Sequence, residues 1–204
     1  MKKLLRFLIP AGILLRLRKW IQTRQRKLKA PRMLWGYQDP SGIWRSRTRI
    51  SDTVFFYRPE RINIADNVYI GHFTILDGTG FLEIEDGVQI AGLSGIFTHS
   101  SHIAIRLYGN HYSEVPESEK RGYLINKVKI GRYAFIGAGA KVLPGVSVGR
   151  GALVAAGSIV SREVDDFQIV SGNPAVVVGD TRKLDAKYLA DPQIRIWYEE
   201  WQKS

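Results

Sequence analysis

The chain has 204 residues, no cysteine, 45% hydrophobic and 24% charged residues, and a formal net charge of +11. The length allows one domain with an appendage, and the composition is that of a globular protein able to bury a core without cross-links. The lack of cysteine excludes a disulfide scaffold, thiolate-bound zinc, iron–sulfur clusters and a thiol nucleophile.

The charge is concentrated at the N-terminus. Residues 1–32 carry eleven Lys or Arg and no Asp or Glu, leaving 19 basic and 19 acidic residues in the remainder. A neutral body is not built to grip nucleic acid, so no nucleic-acid partner is expected. Within the basic segment, Leu4 to Ile9 form a short apolar run closed by Pro10. Ile13, Leu14, Leu17, Trp20 and Ile21 then recur at the spacing of one helical face. No stretch is long and uncharged enough to span a bilayer. A basic amphipathic helix bearing Trp and Leu suits peripheral contact of residues 1–30 with an anionic membrane. Packing on protein is the alternative. The expected organisation is a basic segment over 1–32, a body over 33–180 and a C-terminal segment over 181–204.

The body repeats with a period of six. Ile64, Ile70 and Leu76 form one run, and Ile84, Ile90 and Ile96 another after a slip of two around Gly78–Gly80. Ile130, Ile136, Val142, Val148, Val154 and Val160 form a third. Small residues follow many of them, at Gly131, Gly137, Gly149 and Ala155. Helices repeat near 3.6 and strands near 2, so neither accounts for six. Hexads suit an all-β solenoid, a parallel β-helix in which each hexad makes one flat side and its aliphatic residue points inward. Residues 97–127 interrupt the pattern, hold three of the four histidines and read as an extruded loop. Leu184, Tyr188, Leu189, Trp197, Tyr198 and Trp201 give segment 181–204 the look of a helical cap.

These hexads, the segment from Val128 through Ala138 and Leu143-Pro144-Gly145-Val146 to Gly149, and the tail Ser171-Gly172-Asn173-Pro174-Ala175 resemble the hexapeptide-repeat acyltransferases. Within that superfamily the sugar and antibiotic O-acetyltransferases are the most similar. The resemblance implies a left-handed parallel β-helix, a homotrimer with active sites between subunits, acetyl-CoA as co-substrate, no metal, and a histidine general base. By its spacing from Ile96 and the preceding Ser100-Ser101, His102 matches the family base best, with His99 the second candidate. His72 reads as a coil-surface side chain. An imidazole of ordinary pKa can take the proton of an attacking hydroxyl near neutrality.

The resemblance further implies acyl-CoA contacts at Phe135, Ala138, Ala156 and Ser161, with Arg182 and Lys183 as cations for its phosphates. At Phe135 the family commonly has Trp. Corners of the hexads need small residues in any case. Tyr108, His111 and Tyr112 of the extruded loop suit a sugar acceptor. The expected function is acetyl transfer to a sugar hydroxyl, on a free or lipid-linked sugar of surface-polysaccharide assembly, at the inner face of the cytoplasmic membrane. The alternatives are N- or O-acetylation of a soluble nucleotide-sugar or antibiotic, a γ-type carbonic anhydrase lacking an evident third histidine ligand, and an inert scaffold.

Overall fold

The computed structural model describes residues 30–203 together with Ile13, Arg16, Leu17, Lys19, Trp20, Ile21 and Arg24. The chain divides into two units, Met1–Arg32 and Met33–Ser204. In the first unit the described residues are helical and exposed, and the Arg24 guanidinium lies 5.0 Å from the centre of the Trp20 ring. The apolar run from Leu4 to Ile9, with Pro10 and Leu14, lies outside the described residues. Among the described residues no helix is long and apolar enough to cross a membrane.

The second unit is a coil of short parallel strands in three sheets. The first sheet contains β2 (Trp44–Ser51), β5 (Tyr69–Ile70), β8 (Gln89–Ile90), β13 (Phe135–Ile136), β16 (Leu153–Val154) and β18 (Gln168–Gly172). The second contains β3 (Phe55–Tyr57), β6 (Ile75–Asp77), β9 (Gly95–Ile96), β14 (Lys141–Val142) and β17 (Ile159–Val160). The third contains β4 (Ile62–Ile64), β7 (Leu82–Ile84), β12 (Val128–Ile130) and β15 (Ser147–Val148).

Register explains the hexads. Ile50, Ile70, Ile90, Ile136, Val154 and Val170 stack in one column. Phe56, Leu76, Ile96, Val142 and Val160 form a second, and Ile64, Ile84, Ile130 and Val148 a third. From Leu76 onward most of these side chains are fully buried, so each coil extends one continuous apolar core. The corner residue is small because the next coil lies directly against it: a Cβ on Gly137 would stand 2.5 Å from the Ala156 nitrogen.

The coil is longer than the hexads alone indicate. Ile50 and Phe56 begin it one turn before Ile70 and Leu76, and they escape the repeat because β2, which holds Ile50, also forms an antiparallel hairpin with β1 (Met33–Gln38). Tyr37 stacks on Phe56 with ring centres 6.3 Å apart, and both pack against the core at this end. At the other end β18 turns back antiparallel onto β19 (Ala175–Asp180), and Ala175 packs on the core. The C-terminal helix Pro192–Lys203 lies along the coil's side. Trp201 packs on Tyr133 at 4.7 Å, on Phe167 at 5.9 Å and on Tyr198 at 5.5 Å, and Tyr133 and Phe167 belong to one corner with Gly151 on the level between them.

Candidate active site

The early coils are 20 residues long, as Ile64 to Ile84 and Leu76 to Ile96 show, whereas Ile136 to Val154 is 18. The two additional residues fall at one corner, between the second and third sheets, in Asp77-Gly78-Thr79-Gly80. One level on, the same corner expands into the excursion 97–127. Its base is a two-residue antiparallel pair, β10 (His99–Ser100) with β11 (Leu124–Ile125), and it carries a short helix, Ala104–Tyr108. The base sits tight on the corner below. Gly80 donates to the Thr98 hydroxyl at 2.8 Å, and a Cβ on Gly80 would lie 2.7 Å from the carbonyl oxygens of Thr98 and Asn126.

This packing brings Asp77 to His99. The Asp77 side chain is 3% exposed and accepts hydrogen bonds on both oxygens. Oδ1 accepts from the Thr79 N–H at 2.9 Å and the Thr79 hydroxyl at 2.6 Å. Oδ2 accepts from the Thr98 N–H at 2.7 Å and the His99 N–H at 3.1 Å, and lies 2.6 Å from His99 Nδ1. Burial alone would push this carboxyl up. The donors from Thr79, Thr98 and His99 outweigh it and hold Asp77 at about 2, so it is ionised near neutrality.

A carboxylate can only accept. Nδ1 of His99 therefore carries the proton, and in the neutral ring the lone pair sits on Nε2. Tyr57 and Tyr123 flank the ring with centres 6.0 and 5.8 Å away, and the side chain is 31% exposed. The result is an oriented imidazole with an available basic nitrogen, set among aromatic rings.

His102 sits differently. It is exposed, and its Nδ1 meets only a hydroxyl, Ser100 Oγ at 2.7 Å, which leaves its tautomer unfixed. His72 Nδ1 lies 2.6 Å from the buried Ser51 hydroxyl at a coil corner. His111 is exposed and faces Glu114 at 2.8 Å. Tyr108 is used inside the excursion, its hydroxyl accepting from the Arg121 N–H at 2.8 Å, and Lys120 stands 4.1 Å over the Tyr112 ring. Arg58, one coil before Asp77, reaches the excursion through an ion pair with Glu117 at 3.2 Å. Among the described residues no three His, Asp or Glu side chains form a group that could hold a metal ion.

Ala138 and Ala156 stack at another corner, between the first and second sheets, and both are exposed. The Gly157 N–H donates to the Ala138 carbonyl at 2.8 Å, and Gly139 to Gly92 at 3.0 Å. Along this edge the left-handed positions are occupied in order by Phe73, Leu93, Gly139 and Gly157. Phe73 and Leu93 project, whereas a Cβ on either glycine would meet nothing within 4 Å. The lower half of the edge is thus bare of side chains, and the left-handed backbone of Gly139 and Gly157, at φ of +73° and +71°, favours glycine there. Ser161 is exposed beyond β17. Phe135 is 42% exposed on the first sheet, in a recess that it shares with Tyr133, Leu153, Phe167 and Trp201. Arg182 is engaged elsewhere: its guanidinium pairs with Asp180 and lies 5.0 Å over the Phe167 ring. Lys183 is exposed on the helix Thr181–Asp185.

The hexads are matched by the family model for the bacterial transferase hexapeptide (six repeats), over residues 127–162. The dTDP-4-amino-4,6-dideoxy-D-glucose acyltransferase of Escherichia coli is 31% identical over 153 residues, 66% of this chain and 80% of that protein. The chain belongs to the hexapeptide-repeat acyltransferase family. The Saccharomyces cerevisiae relative YJL218W is 36% identical over 129 residues, 62% of this chain, which spans 58% of that relative's length. Among solved structures, the N-acyltransferase AntD from Bacillus cereus, in complex with dTDP and 3-hydroxybutyryl-CoA, superposes with a TM-score of 0.57 at 20% identity, covering 78% of this chain and 89% of that one.

The sequence of this family member points to a histidine base within the excursion 97–127, at His102 or His99. It does not point to Asp77, Thr79, Thr98, Tyr57 or Tyr123. The available signal was the slip at Gly78–Gly80. Taken as a 20-residue coil rather than an interruption, it sets Asp77 opposite Phe97 and within reach of His99.

Proposed function

We propose that the protein transfers an acetyl group from acetyl-CoA to a sugar hydroxyl, with His99 as general base. The observation that carries this reading is the Asp77–His99 pair at 2.6 Å, which leaves Nε2 as the proton acceptor. A hydroxyl must lose its proton as it attacks a thioester, and an oriented imidazole supplies the acceptor. Asp77 holds the tautomer and stabilises the imidazolium that forms. The hydroxyl oxygen attacks the thioester carbonyl, Nε2 takes its proton, and the CoA thiolate leaves and is reprotonated from the imidazolium. Transfer is direct, with no acyl-enzyme.

The bare edge at Ala138, Gly139, Ala156 and Gly157 suits the pantetheine arm, and Ser161 and Phe135 remain candidate contacts to acyl-CoA. Lys183 is the better placed cation for its phosphates, because Arg182 is held by Asp180. Tyr57 and Tyr123 offer faces for a sugar ring, with Tyr108, His111 and Tyr112 further along the excursion. The coil takes the family's left hand, and a homotrimer completes the sites. Residues 1–30 hold the enzyme peripherally on an anionic membrane beside a lipid-linked acceptor.

A second reading is acylation of a nucleotide-linked amino sugar, favoured by the activity named for the Escherichia coli relative. An amine attacks from its neutral form with its own lone pair, so it has less use for a fixed base. The test incubates the full-length protein with acetyl-CoA and paired hydroxyl and amino sugars, free and nucleotide-linked, and identifies products by mass. Ester products carry the proposal. Amide products alone, or no acyl transfer to any sugar, overturn it.

A further inference from the structure

The positive charge extends beyond the basic segment. Residues 1–51 hold fourteen Lys or Arg against one acidic residue, Asp39, while residues 52–204 hold sixteen basic and eighteen acidic. The last stretch of this region is the β1–β2 hairpin of the folded body. It exposes large apolar side chains: Trp35 is 70% exposed, Trp44 62%, Ile43 51% and Leu34 48%. None of them is needed for the core, which at this end is closed by Tyr37 and Phe56.

The hairpin also repeats a pairing seen in the N-terminal helix. Arg49 stands 5.3 Å over Trp35 and 5.4 Å over Tyr69, as Arg24 stands 5.0 Å over Trp20. Indole beside guanidinium is the chemistry of a lipid headgroup boundary, where the ring enters the interface and the cation meets phosphate.

We infer that the β1–β2 hairpin is a second membrane-docking element, inserting Trp35, Ile43 and Trp44 at the surface of an anionic bilayer. This rests on the peripheral-membrane reading given above and extends it from a helix to a rigid edge of the catalytic body. Chain continuity supports it: the basic segment ends at Arg32 and β1 begins at Met33, so no linker separates the two in sequence. A docked hairpin would fix the body's position relative to the bilayer, and with it the height of the active site above a lipid-linked acceptor.

The experiment uses the full chain and sedimentation with phosphatidylcholine vesicles, with and without phosphatidylglycerol. Wild type is expected to bind the mixed vesicles and to be released by salt. Trp35→Ser/Trp44→Ser is expected to bind at least about tenfold more weakly, since each indole carries on the order of 100 Å² of apolar surface. Transfer to a soluble acceptor should be unchanged. Trp35→Phe/Trp44→Phe keeps the apolar bulk, and here brominated lipid should quench less of the tryptophan fluorescence than in wild type.

No vesicle binding by wild type would sink both the membrane reading and this inference. Binding by wild type that the serine pair leaves unaltered, with quenching unaltered in the phenylalanine pair, overturns the hairpin alone. A lower oligomer mass of the serine variant by light scattering overturns it too, because the indoles would then be a contact between copies of this chain. Replacing Arg16, Lys19 and Arg24 with Gln reports separately on the helix.

Discussion

Two stretches of the same coil differ by two residues per turn. From Ile130 to Val160 the chain repeats in 18, small residues close most of the corners, and the interior is aliphatic. From Ile50 to Ile96 it repeats in 20, and the two additional residues sit at one corner with Asp77, Thr79 and, one level on, His99. The regular stretch is optimised for stacking and leaves no room for a buried charge. The longer stretch gives up regularity at one corner and gains a carboxylate surrounded by donors. Stability and chemistry are thus separated along one solenoid, at different turns.

The sharpest way to probe the regular stretch is to shorten a stacked side chain. Ile136→Ala empties a fully buried position between Ile90 and Val154, and unfolding titrations should show a loss of about 3 kcal/mol. A loss near zero would mean that the column does not act as one core.

At the longer corner the expected cost is smaller and depends on pH. Asp77 is held at about 2 in the folded chain against an ordinary value of 3.8. A depressed carboxyl stabilises the fold above its unfolded pKa and loses that contribution as pH falls through the folded value. The contribution is about 2 kcal/mol, fully present above about pH 5 and lost between roughly pH 4 and 2. In Asp77→Asn the stability at neutral pH should fall by about that amount, and the difference from wild type should shrink as acid is added. A pH-independent difference would contradict the charge as its cause. The same variant should lower kcat more than it alters the KM for acetyl-CoA, since Asp77 acts through His99.

The smallest effect is expected from Arg182→Ala. Its guanidinium is committed to Asp180 and the Phe167 ring, so the KM for acetyl-CoA should stay unchanged. A clear rise would restore it as a phosphate contact.

How much of this was readable beforehand follows from what each feature depends on. The hexads were legible because every coil imposes the same steric demand at the same position, as at Ile130, Ile136 and Val142. The coil's beginning was not, because Ile50 lies in a strand of a hairpin that lacks the period. The histidine pair was legible only as a pair. Choosing between His99 and His102 depends on the residue one coil below, and local spacing from Ile96 carries no information about Asp77. The packing of Trp201 on Tyr133 and Phe167 joins distant segments without any periodic sign.

The central claim is that Asp77 makes His99, rather than His102, the base. The direct measurement is kcat/KM for acetyl transfer by His99→Ala and His102→Ala beside wild type, with folding checked by thermal midpoint. His99→Ala should lose about 10²–10⁴-fold while acetyl-CoA still binds, and His102→Ala should stay within a few fold. The reverse order, with His102→Ala inactive and His99→Ala active, would contradict the account.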